Sequence, residues 1–320
     1  MKFRPVFKEK IWGGKKIRTR LGLDFSPLPN CGEAWVISGV PGSQTMVSNG
    51  FLKGNELNEL VEIYMDELVG EKVFYKYNNS FPILIKFIDA NDFLSVQVHP
   101  NDELAAKRKL SNGKSEMWYV LDADPGARLF TGFNREMDRK RYLEYFQTNQ
   151  LKEILNEEKV SSGDVFYIPS GRIHALGPGI LLAEIQQTAD TTYRIYDWNR
   201  LDEHGEGREL HTELALDAID FRTQDSYRTE YRKVVNKPVN LVDTAFFTIN
   251  ILDFDKPVEK DYTYLDSFIL YLCVGGNAEI RYKTDKIQIC AGETLLIPAV
   301  IENLLLIPSP NCRLMEVYIA

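Results

Sequence analysis

At 320 residues and 36.8 kDa the chain is long enough for two domains and a large buried core. Hydrophobic residues at 44% and charged residues at 26% place it among soluble globular proteins, and a net charge of −8 with a pI near 5.3 argues against a nucleic-acid or anionic-membrane surface. No apolar run approaches the roughly 18–20 residues that span a bilayer. Met1–Lys8 lacks the apolar stretch of a signal peptide, and Cys31, Cys273, Cys290 and Cys312 are scattered without CxxC spacing. We therefore expect a cytoplasmic protein with its thiols reduced, each a small core residue.

Along the chain strands dominate. Leu57, Leu60, Val61, Tyr64 and Leu68 repeat at helical spacing and stop at Gly70, which predicts a helix. Residues 81–88 and 93–99 are apolar runs flanking the turn-forming Asp89-Ala90-Asn91-Asp92, and they predict a β-hairpin. Further strands are expected at 116–121, 126–130, 163–169, 180–187 and 193–198. One or two amphipathic helices are expected within 135–158, and a short one over Glu209–Phe221. Arg222–Lys237 is polar and charged, a linker or exposed strand, and 238–320 is almost entirely of strand composition. The predicted fold is mostly β, with one domain at 1–237, which carries the helices, and a second β domain at 238–320.

Four residues stand out. Gln97 and His99 are two apart in Phe93-Leu94-Ser95-Val96-Gln97-Val98-His99-Pro100, so on a strand they share a face while Leu94, Val96 and Val98 fill the other. Glu116 lies in a further strand-like run. His174 follows Gly163-Asp164-Val165-Phe166-Tyr167-Ile168-Pro169-Ser170-Gly171, a strand ending in a turn. Gly-Asp-x-x-x-Ile-Pro-x-Gly-x-x-His resembles the second metal motif of the cupins. One amide, one carboxylate and two imidazoles suit a single Zn²⁺, with Mn²⁺ or Co²⁺ as alternatives.

The chain also repeats a phrase. Gly163–Ser170 matches Gly292–Ala299, which sets His174 against Asn303; extending the alignment upstream sets Ser267 against Glu116. A second barrel that has lost the ligands, and so binds no metal, is the expectation for 238–320.

Several phrases together resemble the type I mannose-6-phosphate isomerases, and more narrowly their short bacterial form. They are Phe81-Pro82-x-x-x-Lys86-Phe87-x-Asp89, Leu94-Ser95-Val96-Gln97-Val98-His99-Pro100, Gly113-Lys114-Ser115-Glu116, Ile168-Pro169-x-Gly171-x-x-His174-Ala175 and Tyr193-Arg194-x-x-Asp197-Trp198. The likeness runs from about Trp12-Gly13-Gly14 to Phe221. It implies two cupin-like, jelly-roll β-barrels with a few helices in and around the first. It also implies zinc on Gln97, His99, Glu116 and His174, and catalysis by Lys114, Glu184 and Arg194. The implied reaction interconverts mannose 6-phosphate and fructose 6-phosphate through a cis-enediolate, with a sugar phosphate as partner and a monomer or homodimer as the assembly. Many relatives have Lys-Pro-Glu where this chain has Lys114-Ser115-Glu116, a change that leaves both functional positions in place.

Residue chemistry leaves alternatives at each catalytic position. Lys114 is either a base or charge stabiliser beside a metal, or, as its local sequence favours, a rim lysine in water. Arg194 suits a phosphate or oxyanion, or pairs with Asp190 or Asp197. Glu184, amid apolar residues, shuttles protons or pairs with Arg194. Arg172 is a further positive charge for the barrel mouth. Two other function classes fit a metal-binding cupin: an Fe- or Mn-dependent oxidoreductase or decarboxylase, and a non-catalytic sugar-binding protein.

Overall fold

The computed structural model describes residues 1–201 and 204–320. The chain begins with β1 (Phe3–Arg4), β2 (Val6–Lys8), α1 (Lys16–Leu21), β3 (Glu33–Ile37) and β4 (Met46–Val47). Helices α2 (Leu57–Val69) and α3 (Glu71–Tyr77) follow, then β5 (Ile83–Ala90), β6 (Val96–Val98), α4 (Asp102–Lys107), β7 (Glu116–Ala123) and β8 (Arg128–Phe133). After α5 (Arg139–Gln147) and a 3-10 turn at Leu151–Ile154 come β9 (Leu155–Lys159), β10 (Val165–Ile168), β11 (His174–Leu176), β12 (Ile180–Gln187), β13 (Tyr193–Tyr196) and α6 (Thr212–Ala218). The remainder is β14 (Val239–Asp243), β15 (Thr248–Phe254), β16 (Val258–Asp261), β17 (Ile269–Tyr282), β18 (Asp285–Cys290), β19 (Thr294–Ile297) and β20 (Asn303–Tyr318).

The fold is mostly β, as expected. A six-stranded sheet, ordered β10-β7-β12-β5-β3-β2, faces a five-stranded one, ordered β13-β6-β11-β8-β9. Between them lie Ile88, Trp118, Val120, Phe166 and Leu182 from the first sheet and Leu129 and Leu176 from the second. The far side of the five-stranded sheet packs Val96, Val98, Phe130 and Ile195 against α5 and α6. The far side of the six-stranded sheet packs Ile85, Phe87, Tyr119, Leu181 and Ala183 against α2 and against Ile249, Leu270, Met315 and Val317. Those last residues belong to the third large sheet, in which β14 to β20 pair among themselves. Its strands β17 and β20 are 14 and 16 residues long, so the sheet curls around a core of its own. Among the described residues no sheet closes into a continuous hydrogen-bonded barrel. No helix among the described residues is long and apolar enough to cross a membrane.

Local chemistry explains the helix boundaries. Glu56 and Glu59 form a reciprocal capping box at the start of α2, and the chain leaves it through Gly70 at φ 92°. Asn101 and Asp138 accept hydrogen bonds from the backbone N–H of Leu104 and Arg141, opening α4 and α5.

Three expectations are corrected. The runs at 81–88 and 93–99 are not a hairpin: β5 pairs with β3 and β12, whereas β6 pairs with β11 and β13 in the opposite sheet. The intervening turn carries the chain across the sandwich, a choice that local turn chemistry does not encode. The stretch 135–158 is one helix and a 3-10 turn that ends in β9, because pairing with β8 overrides the helix propensity of its Glu and Lys residues. Leu94 precedes β6 and faces the inter-sheet core, not the outer side occupied by Val96 and Val98.

Candidate metal centre and catalytic cavity

Alternation along three strands aims polar groups into the inter-sheet space. On β7, Met117 and Tyr119 face outward while Glu116, Trp118 and Val120 face in. On β12, Leu181, Ala183 and Ile185 face outward, so Glu184 and Gln186 face in, and Lys86 does the same on β5 between Ile85 and Phe87. Across the space, Gln97 on β6 stands opposite His174 on β11 in the ladder. His99 follows β6 directly.

His99, Glu116 and His174 are buried, and their donor atoms all lie within 4.8 Å of one another. His99 Nε2 is 3.2 Å from Glu116 Oε1, and His174 Nε2 is 3.7 Å from Glu116 Oε2. Each imidazole uses Nδ1 elsewhere: His99 on the Thr191 carbonyl and His174 on the Arg172 carbonyl, both at 2.9 Å. A carbonyl only accepts, so Nδ1 carries the proton and Nε2 is left as a lone-pair donor. Burial lowers the His99 pKa to about 3, helped by the Lys114 charge, and burial lowers that of His174 as well, so both rings are neutral. Burial alone would raise the Glu116 carboxyl; the charge of Lys114 and the two imidazoles outweigh it and hold the group well below its usual range. Glu116 Oε2 and His174 Nε2 are buried without a hydrogen bond, and Glu116 Oε1 meets the Lys114 ammonium at 2.8 Å. Neutral imidazoles, an ionised carboxylate and orphaned donor atoms are the donor set a divalent cation requires.

Beside this cluster is a cavity of about 140 Å³ whose wall includes Gln97, Lys114, Glu184 and Arg194. Lys114 is not a rim residue. It is 4% exposed, with Nζ 2.8 Å from Glu116 Oε1 and 3.2 Å from His99 Nε2. Glu184 does not pair with Arg194: Lys86 Nζ is 3.1 Å from its Oε1, and the Trp118 indole N–H donates to its Oε2 at 2.9 Å. Burial and the neighbouring Glu116 charge raise the Glu184 pKa, while Lys86, facing Glu184, Glu33 and Glu116, stays a cation despite its burial. Arg194 pairs with neither aspartate expected of it. Asp197 is held by Arg200 and Arg208, and Arg194 donates to the Glu209 carbonyl at 2.8 Å while its Nε has no partner.

Arg172 turns away from the cavity. Its guanidinium donates to the Tyr167 carbonyl at 2.7 Å and lies over the Tyr227 ring. The turn that presents His174 inward places Arg172 outside. Lys10, Trp12, Glu33, Lys86, Trp118 and Arg208 also line the cavity and were not anticipated. Of these only Lys86 left a signal, as the one charge within the apolar run Phe81–Ile88.

The expected ligand positions of the repeat also shift. β10 pairs with β7 as Ile168↔Glu116, and β19 pairs with β17 as Ile297↔Ile269. Glu116 therefore corresponds to Ile269, not Ser267. Gln97↔His174 corresponds to Lys260↔Leu304 once the inward face is respected, since Leu304 is in the core and Asn303 is exposed.

A sequence model of the family "Phosphomannose isomerase type I, catalytic domain" matches residues 1–127. A mannose-6-phosphate isomerase of Streptococcus mutans is 33% identical over 296 residues, covering 92% of this chain and 91% of that protein. One from Bacillus subtilis is 36% identical over 256 residues, 77% of each chain. A crystal structure of a Bacillus subtilis mannose 6-phosphate isomerase superposes with a TM-score of 0.88 at 30% identity, covering 99% of this chain and 98% of that one.

Proposed function

The chain belongs to the phosphomannose isomerase type I family, and on that premise we propose that it interconverts D-mannose 6-phosphate and D-fructose 6-phosphate with one bound divalent cation, zinc by the chemistry of its donors. It is an isomerase of cupin fold. The observation that carries the reading is the single cavity in which Gln97, Lys114, Glu184 and Arg194 meet beside the His99–Glu116–His174 cluster.

Gln97, His99, Glu116 and His174 would hold the cation, which when bound would polarise the sugar carbonyl and lower the cost of charge on the adjacent oxygens. The rest is the work of side chains. Aldose–ketose exchange moves a proton between C1 and C2 of the open-chain sugar by way of a cis-enediolate. Glu184, with its raised pKa, is the proton carrier; Trp118 and Lys86 fix its two oxygens in place. Lys114 keeps Glu116 ionised and brings a positive charge to the developing oxyanion. The planar fork of Arg194, with an unpartnered Nε, takes the phosphate or the oxyanion, and the cations Lys10 and Arg208 lend further positive potential in an otherwise acidic protein.

We place the catalytic unit at 1–237 and the second unit at 238–320, which carries no ligand set. This division is supported by the pairing of β14–β20 with one another, although Lys2 and Val235 bridge to Leu295 and Asp253 and Met1 reaches across to Leu296. A cytoplasmic location fits the reduced thiols. The test is a coupled assay on mannose 6-phosphate with and without chelator, alongside metal analysis. Turnover that is lost with chelator and restored by zinc supports the reading; metal-loaded protein without isomerisation leaves a sugar-binding cupin.

A further inference from the structure

Two of the four cysteines meet inside the second unit. Cys273 on β17 and Cys312 on β20 are both buried, both in the core of the curled sheet, and their sulfurs are 3.7 Å apart. They are not paired opposite each other in the ladder. The register runs Cys273↔Leu314 and Gly276↔Cys312, with an irregularity between Cys273 and Gly275. That bulge turns both side chains to one side. Next to it the two strands press together: Gly276 has φ +70°, and a Cβ there would lie 2.2 Å from the Asn311 carbonyl oxygen. Cys312 borders the surface although it is only 3% exposed. With Gly275, Gly276, Asn311 and Arg313 it lines a surface groove of about 600 Å³.

We propose that Cys273 and Cys312 are a reversible oxidation site, closing to an intramolecular disulfide by exchange with a low-molecular-weight disulfide that enters this groove. Cys312, the sulfur of the pair that borders the groove, gives up its proton as it attacks one sulfur of the small disulfide and expels one thiolate. Cys273 then attacks Cys312 in the mixed disulfide and expels the second. The protein gives up two electrons and two protons; the small disulfide becomes two thiols. The sulfurs must approach by about 1.7 Å to reach the bonded distance. The bridge would span 39 positions and tie β17 to β20, the two strands that also press Leu270, Met315 and Val317 onto the back of the catalytic unit.

The test treats the folded, metal-loaded protein with oxidised glutathione, then alkylates it under denaturing conditions and maps the peptides. Cleavage after Glu293 and Glu302 separates Cys290 from Cys312, which share one tryptic peptide. The expected result is one cross-link between Cys273 and Cys312 that dithiothreitol reverses, with glutathione on Cys290 and unchanged isomerase turnover. Exposed Cys290 is the internal control. If Cys290 takes up glutathione while Cys273 and Cys312 both stay reduced until the protein is unfolded, the pair is inert core and the proposal is overturned. Cys273→Ala and Cys312→Ala should each remove the cross-link; a cross-link at 273 that persists in Cys312→Ala would overturn it equally.

Discussion

Glu316 stands in the second unit where Glu184 stands in the first. Glu184 on β12 is opposite Trp118 on β7, and Glu316 on β20 is opposite Tyr271 on β17, the strand that takes the place of β7. Around Glu184 are Lys86 and the Trp118 N–H; around Glu316 are Lys260 at 2.7 Å and the hydroxyls of Tyr262 and Tyr271. The first carboxylate opens onto a cavity, whereas the second is satisfied on its own.

That difference makes Glu316 a stability residue. Glu316→Gln leaves the Lys260 ammonium, only 11% exposed at its side chain, without its counter-charge. Removing one partner of a buried pair costs about 3–5 kcal/mol. Urea unfolding should show that loss, with turnover per folded molecule unchanged. A midpoint equal to that of the parent would mean the pair is solvated.

His99→Ala and His174→Ala should each lower bound zinc and activity together. Their Nε2 atoms are the lone-pair donors facing Glu116. Full zinc occupancy in both variants, read by atomic emission, would rule out the ligand assignment.

Arg194→Ala should keep its metal and lose about 10²–10³ in rate, the usual cost of deleting a charge partner of the transition state. The contrast with the histidine variants separates substrate handling from metal binding. Turnover at the parental rate would remove Arg194 from the mechanism.

Lys86→Met should move the acid limb of the pH–rate profile upward. Lys86 lowers the Glu184 pKa that burial and Glu116 raise, so its loss makes the carboxylate harder to form. Ionisation is then completed only at higher pH. An unmoved limb would assign the limb to another group.

Asp89 predicts a pH dependence of stability. Burial raises its pKa from 3.8 to about 6, against the backbone N–H groups of Lys16 and Ile17 that it accepts. A carboxyl whose folded pKa is raised binds its proton more tightly in the folded state. Its contribution is therefore full below about pH 3.8 and lost as pH rises through about 6. Asp89→Asn should flatten the Tm-against-pH curve across that window relative to the parent. Parallel curves would refute the assignment.

Much of the site was legible in the chain because it depends on local alternation. Val96 and Val98 turn outward, so Gln97 turns inward, and Gly171 with the following residues delivers His174, whereas Glu184 lies in a run buried on both faces and was indicated by the family likeness. A period of two and a Pro-Ser-Gly turn are properties of neighbours in sequence, and they survive any arrangement of sheets. What the tertiary structure alone decided is who faces whom. Lys86 rather than Arg194 meets Glu184, Lys114 is buried against Glu116, Arg172 is turned out, and β5 and β6 lie in opposite sheets. The inward positions that answer Glu116 and His174 are Ile269 and Leu304. Each of these follows from ladder register between strands far apart in sequence, where a shift of one residue exchanges the faces, and no local pattern carries that information.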